Sequence, residues 1–120
     1  MNNFETRYKI LTDAYHQLVE RENEKEQSLN GIYCRYKYPI ITPGHIPLTW
    51  KYDFNPASNP HLLERIGINA TFNAGAIKFN GKYLLIVRVE GVDRKSFFAV
   101  AESANGIDGF KFWDKPIVLP

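Results

Sequence analysis

The residues best equipped for chemistry stand where an oily run gives out. Within "KYLLIVRVEGVDRKS" the chain passes from Leu84 and Ile86 to Arg88 and Glu90, with Asp93 and Arg94 just beyond. Side chains two residues apart in a strand share a face. Leu84, Ile86, Arg88 and Glu90 are therefore expected on one side of a sheet, two of them oily and two charged. Charge taken out of water is tolerated only when paired and hydrogen-bonded. Two arrangements meet that condition. One is a structural cluster of ion pairs at a sheet edge, and the other is a polar ligand site in which guanidinium forks grip hydroxyls or anions. Asn73 favours the ligand site, because it opens the preceding strand beside the small pair Ala74-Gly75, where backbone can approach a ligand closely. Paired carboxylates can cleave glycosides. Glu90 and Asp93, however, have two arginines for neighbours, which should keep them ionised and unsuited to donating a proton.

Other chemistries find less support. His16, His45 and His61 lie far apart, and Cys34 is the single cysteine, so no metal-ligand spacing is present. The sequence has no G-x-S-x-G, P-loop or G-x-G-x-x-G motif. A net charge of +2 without a long basic run argues against a nucleic-acid partner. No segment has the length and apolarity of a membrane span, the N-terminus lacks a signal-peptide core, and a lone cysteine fits a reducing compartment. Cytoplasmic location is the default expectation. Cys34 reads as a small core residue.

The elements that must position the polar cluster follow from periodicity. Seven Tyr and eight Phe in 120 residues argue for a packed single domain rather than disorder. Phe4, Tyr8, Leu11, Tyr15, Leu18 and Val19 recur at helical spacing, predicting an amphipathic helix from about Phe4 to Glu26 within an N-terminal extension spanning 1–30. Its stripe needs a cover, either the rest of the domain or another subunit. "SLNG" ends it. From 31 to 68, Pro39, Pro43, Pro47, Pro56 and Pro60 predict ordered loops with short extended pieces. Tyr33, Tyr36, Tyr38, Trp50 and Tyr52 in that region suit either sugar stacking or half-buried loop anchors.

Strands dominate from 69 to 120. "GAIKF" and "KYLLIVRVE" flank Asn80-Gly81, the dipeptide that best forms a type I′ hairpin turn. "SFFAVAES" and "FKFW" complete a four-stranded antiparallel meander, the shape of one propeller blade. The strand from Tyr83 to Val89 is apolar on alternate residues of both sets, which predicts a sheet covered on each side. A single sheet of this size has open edges and little cover, so further chain or partner subunits are expected around it.

At this level of detail the motifs N-x-G-A, then R-V-E-G-x-D-R-K-S, then A-E-S-x-x-G-I, taken together from about Tyr38 onward, closely resemble the first blade of glycoside hydrolase family 130, in its 4-O-β-D-mannosyl-D-glucose phosphorylase branch. The N-terminal helix resembles that branch's extension. The resemblance implies a mainly β fold, a five-bladed β-propeller with a central sugar site. It implies an inverting glycosyltransferase reaction in which inorganic phosphate attacks mannosyl-glucose to give mannose 1-phosphate and glucose, without a metal or organic cofactor. Asn73, Arg88 and Arg94 correspond to first-blade contacts with sugar hydroxyls, and Asp93 and Ser96 belong to the same substrate-binding motif. The family's general-acid aspartate lies in the second blade and its phosphate holders later still. The resemblance therefore implies a truncated piece carrying part of an active site, inactive alone; separately, the amphipathic helix offers a contact for a homo-oligomer. A propeller β-mannoside hydrolase and a non-catalytic carbohydrate-binding or assembly module remain the alternatives.

Overall fold

The computed structural model describes residues 3–26, 31, 35–93 and 95–117, apart from the side chains of residues 73 and 74. Helix α1 (Asn3–Glu20) leads into irregular chain containing a 3₁₀ turn (Pro43–His45) and a single-turn helix α2 (Leu48–Lys51). Strands β1 (Ile68–Phe79), β2 (Lys82–Gly91), β3 (Ser96–Ser103) and β4 (Lys111–Phe112) follow, forming one antiparallel sheet in the order β1-β2-β3-β4. The architecture is mainly β with one N-terminal helix, and its meander is compatible with a propeller blade.

Asn80-Gly81 forms the expected hairpin, with φ of 51° and 75° at the two turn residues. Both values are positive, as a type I′ turn requires, and only Asn and Gly reach them cheaply. From this turn the pairing runs Phe79 with Lys82, Ile77 with Leu84 and Gly75 with Ile86. A register shift then intervenes between Asn73 and Gly75. Beyond it Asn73 stands opposite Val87 and Phe72 opposite Arg88. Uninterrupted pairing from the turn would have set Asn73 against Arg88 instead.

One sheet face is covered. Leu85, Val87 and Val89 of β2 pack with Ala99 and Ala101 of β3, Phe112 of β4, Ile46 and Phe110. Trp50 caps this core edge-on, its ring centroid 5.8 Å from Phe97 and 5.9 Å from Phe112, while its Nε1–H donates to the Asp114 carbonyl at 2.8 Å. The other face is left open by the described residues: Ile77 is 59% exposed and Ile86 43%. The expectation of cover on both sides came with further chain or partner subunits around the sheet, and the described residues supply cover on one side. The proline-rich segment supplies the cover through Ile40, Ile41, Ile46 and Trp50, and α1 packs on the 3₁₀ turn, which in turn meets β1.

The helix is shorter than its periodicity predicts, ending at Glu20 rather than near Glu26. The reason is the residue that would continue it. Asn23 gives its backbone N–H to Asp108 Oδ2 at 2.7 Å instead of to a carbonyl one turn back. Its side chain also donates to the Tyr38 and Ile107 carbonyls and accepts from the N–H of Tyr38. Tertiary bonds outcompete the marginal last turn. "SLNG" at 28–31 falls largely outside the described residues, as do Cys34 and Tyr33.

Among the loop aromatics, Tyr38, Trp50 and Tyr52 pack as anchors. Tyr38 carries the Arg21 guanidinium 3.6 Å above its ring, and Tyr52 stacks on Phe54 at 6.2 Å. Phe54 in turn meets Tyr8 of α1 edge-on at 5.3 Å, fastening the helix to the loop. His45 is buried beneath the helix and accepts the Thr42 N–H at Nδ1, 3.0 Å away. Burial, and then the nearby Arg21 cation, hold its pKa below the usual histidine value against the opposing effect of that bond. No helix among the described residues is long and apolar enough to cross a membrane.

Candidate functional site

The polar cluster lies at the β2–β3 end of the uncovered face. Cross-strand partners share a face, so β1, β2 and β3 set out rows across it. One row is Phe72, Arg88 and Phe98; the next, nearer the turn, is Ala70, Glu90 and Ser96. On the side away from the turn, the adjoining row is Gly75, Ile86 and Val100, where the oily part of the face begins. The period of two therefore does carry β2 from apolar to charged along one face, as read from the sequence.

Arg88 is exposed, and its guanidinium carbon lies 4.5 Å from the centroid of the Phe72 ring. It makes no ion pair among the described residues; those that occur join Lys9 to Asp13, Lys37 to Glu24 and Lys82 to Glu102. Glu90, two residues along the same face, accepts a long hydrogen bond from Asn69 Nδ2 at 3.4 Å. The described residues therefore do not tie Arg88 and Glu90 into a structural salt bridge, and the guanidinium keeps its donors for something else.

The connection from β2 to β3 is a tight turn that Asp93 helps to hold. Asp93 Oδ1 accepts the Lys95 N–H at 3.0 Å, and Gly91 N–H bonds the Lys95 carbonyl at 3.0 Å. A side chain at Gly91 would bring its Cβ within 2.7 Å of Asp93 Oδ1, so glycine is needed for the carboxylate to fold back. One carboxylate oxygen thus serves the turn, leaving the other available. Ser96 opens β3 directly opposite Glu90, with an exposed side chain. Arg94 lies outside the described residues. Asn73 sits on β1 one register step from Phe72, at the irregularity, and its side chain is likewise not described. Bulges of this kind re-aim strands beside sites.

Of the five residues singled out from the sequence, Arg88 and Ser96 share a face, and Asp93 borders it from the turn. Sequence reasoning missed Phe72 and Phe98. The signal for Phe98 is the short β2–β3 connection, which sets it opposite Arg88. No comparable signal exists for Phe72, because the register shift at Asn73 reverses the pairing that the hairpin turn alone implies.

Comparison with known proteins bears on what this face binds. Over all 120 residues the chain is 55% identical to the 4-O-beta-D-mannosyl-D-glucose phosphorylase of Bacteroides fragilis. The resemblance read from the sequence stands. The match covers 31% of that relative, so the chain spans about a third of its length. No protein-family model matches the chain.

Proposed function

We propose that this chain is the N-terminal, sugar-holding part of an inverting mannoside phosphorylase, which converts 4-O-β-D-mannosyl-D-glucose and phosphate into mannose 1-phosphate and glucose. The observation that carries the reading is the 55% identity, over every residue of the chain, to a phosphorylase of that name. A guanidinium with no ion pair among the described residues, on an open sheet face, agrees with it, since a forked cation suits the vicinal hydroxyls of a hexose.

In this reading Arg88, Arg94 and Asn73 hold the mannosyl hydroxyls, with Asp93 and Ser96 completing the same wall. Binding energy collected there can be used to orient and distort the reacting ring. Expulsion of glucose needs a positioned acid, a contribution of about 10²–10⁴-fold. Phosphate needs cationic holders that align it with the anomeric carbon. Both belong to chain outside these 120 residues, so the isolated segment is expected to show no turnover. The sheet then serves as the first blade of a five-bladed propeller. The enzyme works in the cytoplasm without metal or organic cofactor. Its subunits meet through α1, whose Ile10 is 63% exposed.

The test is product analysis of the full-length gene product incubated with mannosyl-glucose, with and without inorganic phosphate. Mannose 1-phosphate formed only when phosphate is present is the expected result. Free mannose released regardless of phosphate would identify a hydrolase, and binding without turnover a carbohydrate-binding module; either would overturn the proposal.

A further inference from the structure

The geometry points to Phe72 as a positioning residue that orients the Arg88 guanidinium toward the sugar; this rests on the reading that Arg88 holds the mannosyl ring. The two side chains stand directly opposite each other on neighbouring strands, with the guanidinium carbon 4.5 Å from the ring centroid. A long arginine on an open surface samples many rotamers unless something fixes it. Here no carboxylate does so among the described residues, and Glu90 is engaged by Asn69. An aromatic face fixes the cation without consuming its donors, because the attraction acts through the flat of the ring while the N–H groups radiate from the guanidinium edge. A salt bridge in the same place would occupy those donors and neutralise the charge.

The backbone supports the same assignment. Phe72 lies on the edge strand, immediately before the register shift between Asn73 and Gly75, and that shift is what sets it against Arg88 rather than Val89. The strand at Phe72 also borders an open apolar hollow of about 340 Å³, lined by Ile40, Ile41, Leu85 and Val87 among others. Phe98 stands opposite Arg88 on the other side, on β3, and is 37% exposed.

The experiment is steady-state kinetics of the full-length protein on 4-O-β-D-mannosyl-D-glucose, with Phe72→Leu, Phe72→Tyr, Arg88→Ala and the Phe72→Leu/Arg88→Ala pair. Phe72→Leu keeps apolar bulk and removes the π face. It is expected to raise KM for the disaccharide about three- to tenfold, the range a partly exposed cation–π contact supplies, with kcat within about twofold. Phe72→Tyr restores the parental KM, and Phe72→Leu adds nothing once Arg88 is alanine. Should Phe72→Leu fold poorly, Phe72→Trp carries the test, because a stronger π face must hold KM at or below the parental value. The inference is overturned if Phe72→Leu leaves KM unchanged, if Tyr fails to rescue, or if the two losses multiply independently. If Arg88→Ala itself leaves KM and kcat untouched, the sugar-holding role of Arg88 fails first, and that outcome is distinct from a failure of Phe72 alone.

Discussion

The two ends of β3 handle polar groups in opposite ways. At its C-terminal end Ser103 is buried, and its hydroxyl donates to the Asp108 carbonyl while accepting from the backbone N–H groups of Asn105 and Gly106. Asp108 binds Asn105 Nδ2 at 2.8 Å and Asn23 N–H at 2.7 Å, tying the turn to the chain leaving α1. At the N-terminal end Arg88 touches an aromatic ring and Ser96 faces outward. Buried polar groups that satisfy one another are structural, whereas the exposed donors of Arg88 have no polar partner among the described residues and are open to water or a ligand. Composition does not separate the two ends, since both are rich in Ser, Asp and Asn or Arg. What separates them is whether polar partners are present among the described residues.

Substitutions should break this contrast in a graded way. The largest effect is expected at Asn23→Ala, which removes two donated and two accepted bonds at a partly buried site. A loss of about 2–4 kcal/mol is expected by chemical denaturation, with no specific change in sugar affinity beyond that due to unfolding. Next comes acid sensitivity. The Asn23 N–H, then the Asn105 amide, hold the Asp108 carboxyl below the usual carboxylate range. Its folded pKa is therefore depressed, so its contribution is present above about pH 4 and fades as pH falls through the folded value. Asp108→Asn should flatten that part of a stability–pH curve.

At the other end the signs change. Arg88→Ala should leave stability within about 0.5 kcal/mol, as an exposed residue allows, while mannoside affinity measured by calorimetry on the full-length protein falls at least about tenfold. Unchanged affinity would return Arg88 to a surface role and erase the distinction between the ends. The smallest effect is expected for Ser96→Ala: an unaltered melting temperature, and a loss of affinity of about two- to fivefold for one neutral hydrogen bond.

Much of this architecture was legible in the residues. The Asn80-Gly81 turn, the four strands and the passage from Ile86 to Arg88 along one face all depend on local dihedral preference and a period of two, which neighbouring residues fix among themselves. The motifs running from Asn73 to Ile107 likewise pointed to the phosphorylase resemblance before any geometry was known. The helix end was not legible, because Asn23 is claimed by Asp108, far along the chain. Neither was which face of the sheet the loops of this segment cover, since residue type on β2 is apolar on both.

The partner of Arg88 belongs to that second group. A hairpin turn dictates pairing only until the ladder is interrupted, and the irregularity after Asn73 exchanges the residue facing the guanidinium. By itself the sequence determined which strands form and where charge begins on β2. Tertiary structure decided what that charge meets, because a register shift is settled by the summed fit of two strands and the core beneath them, which no short stretch of residues contains.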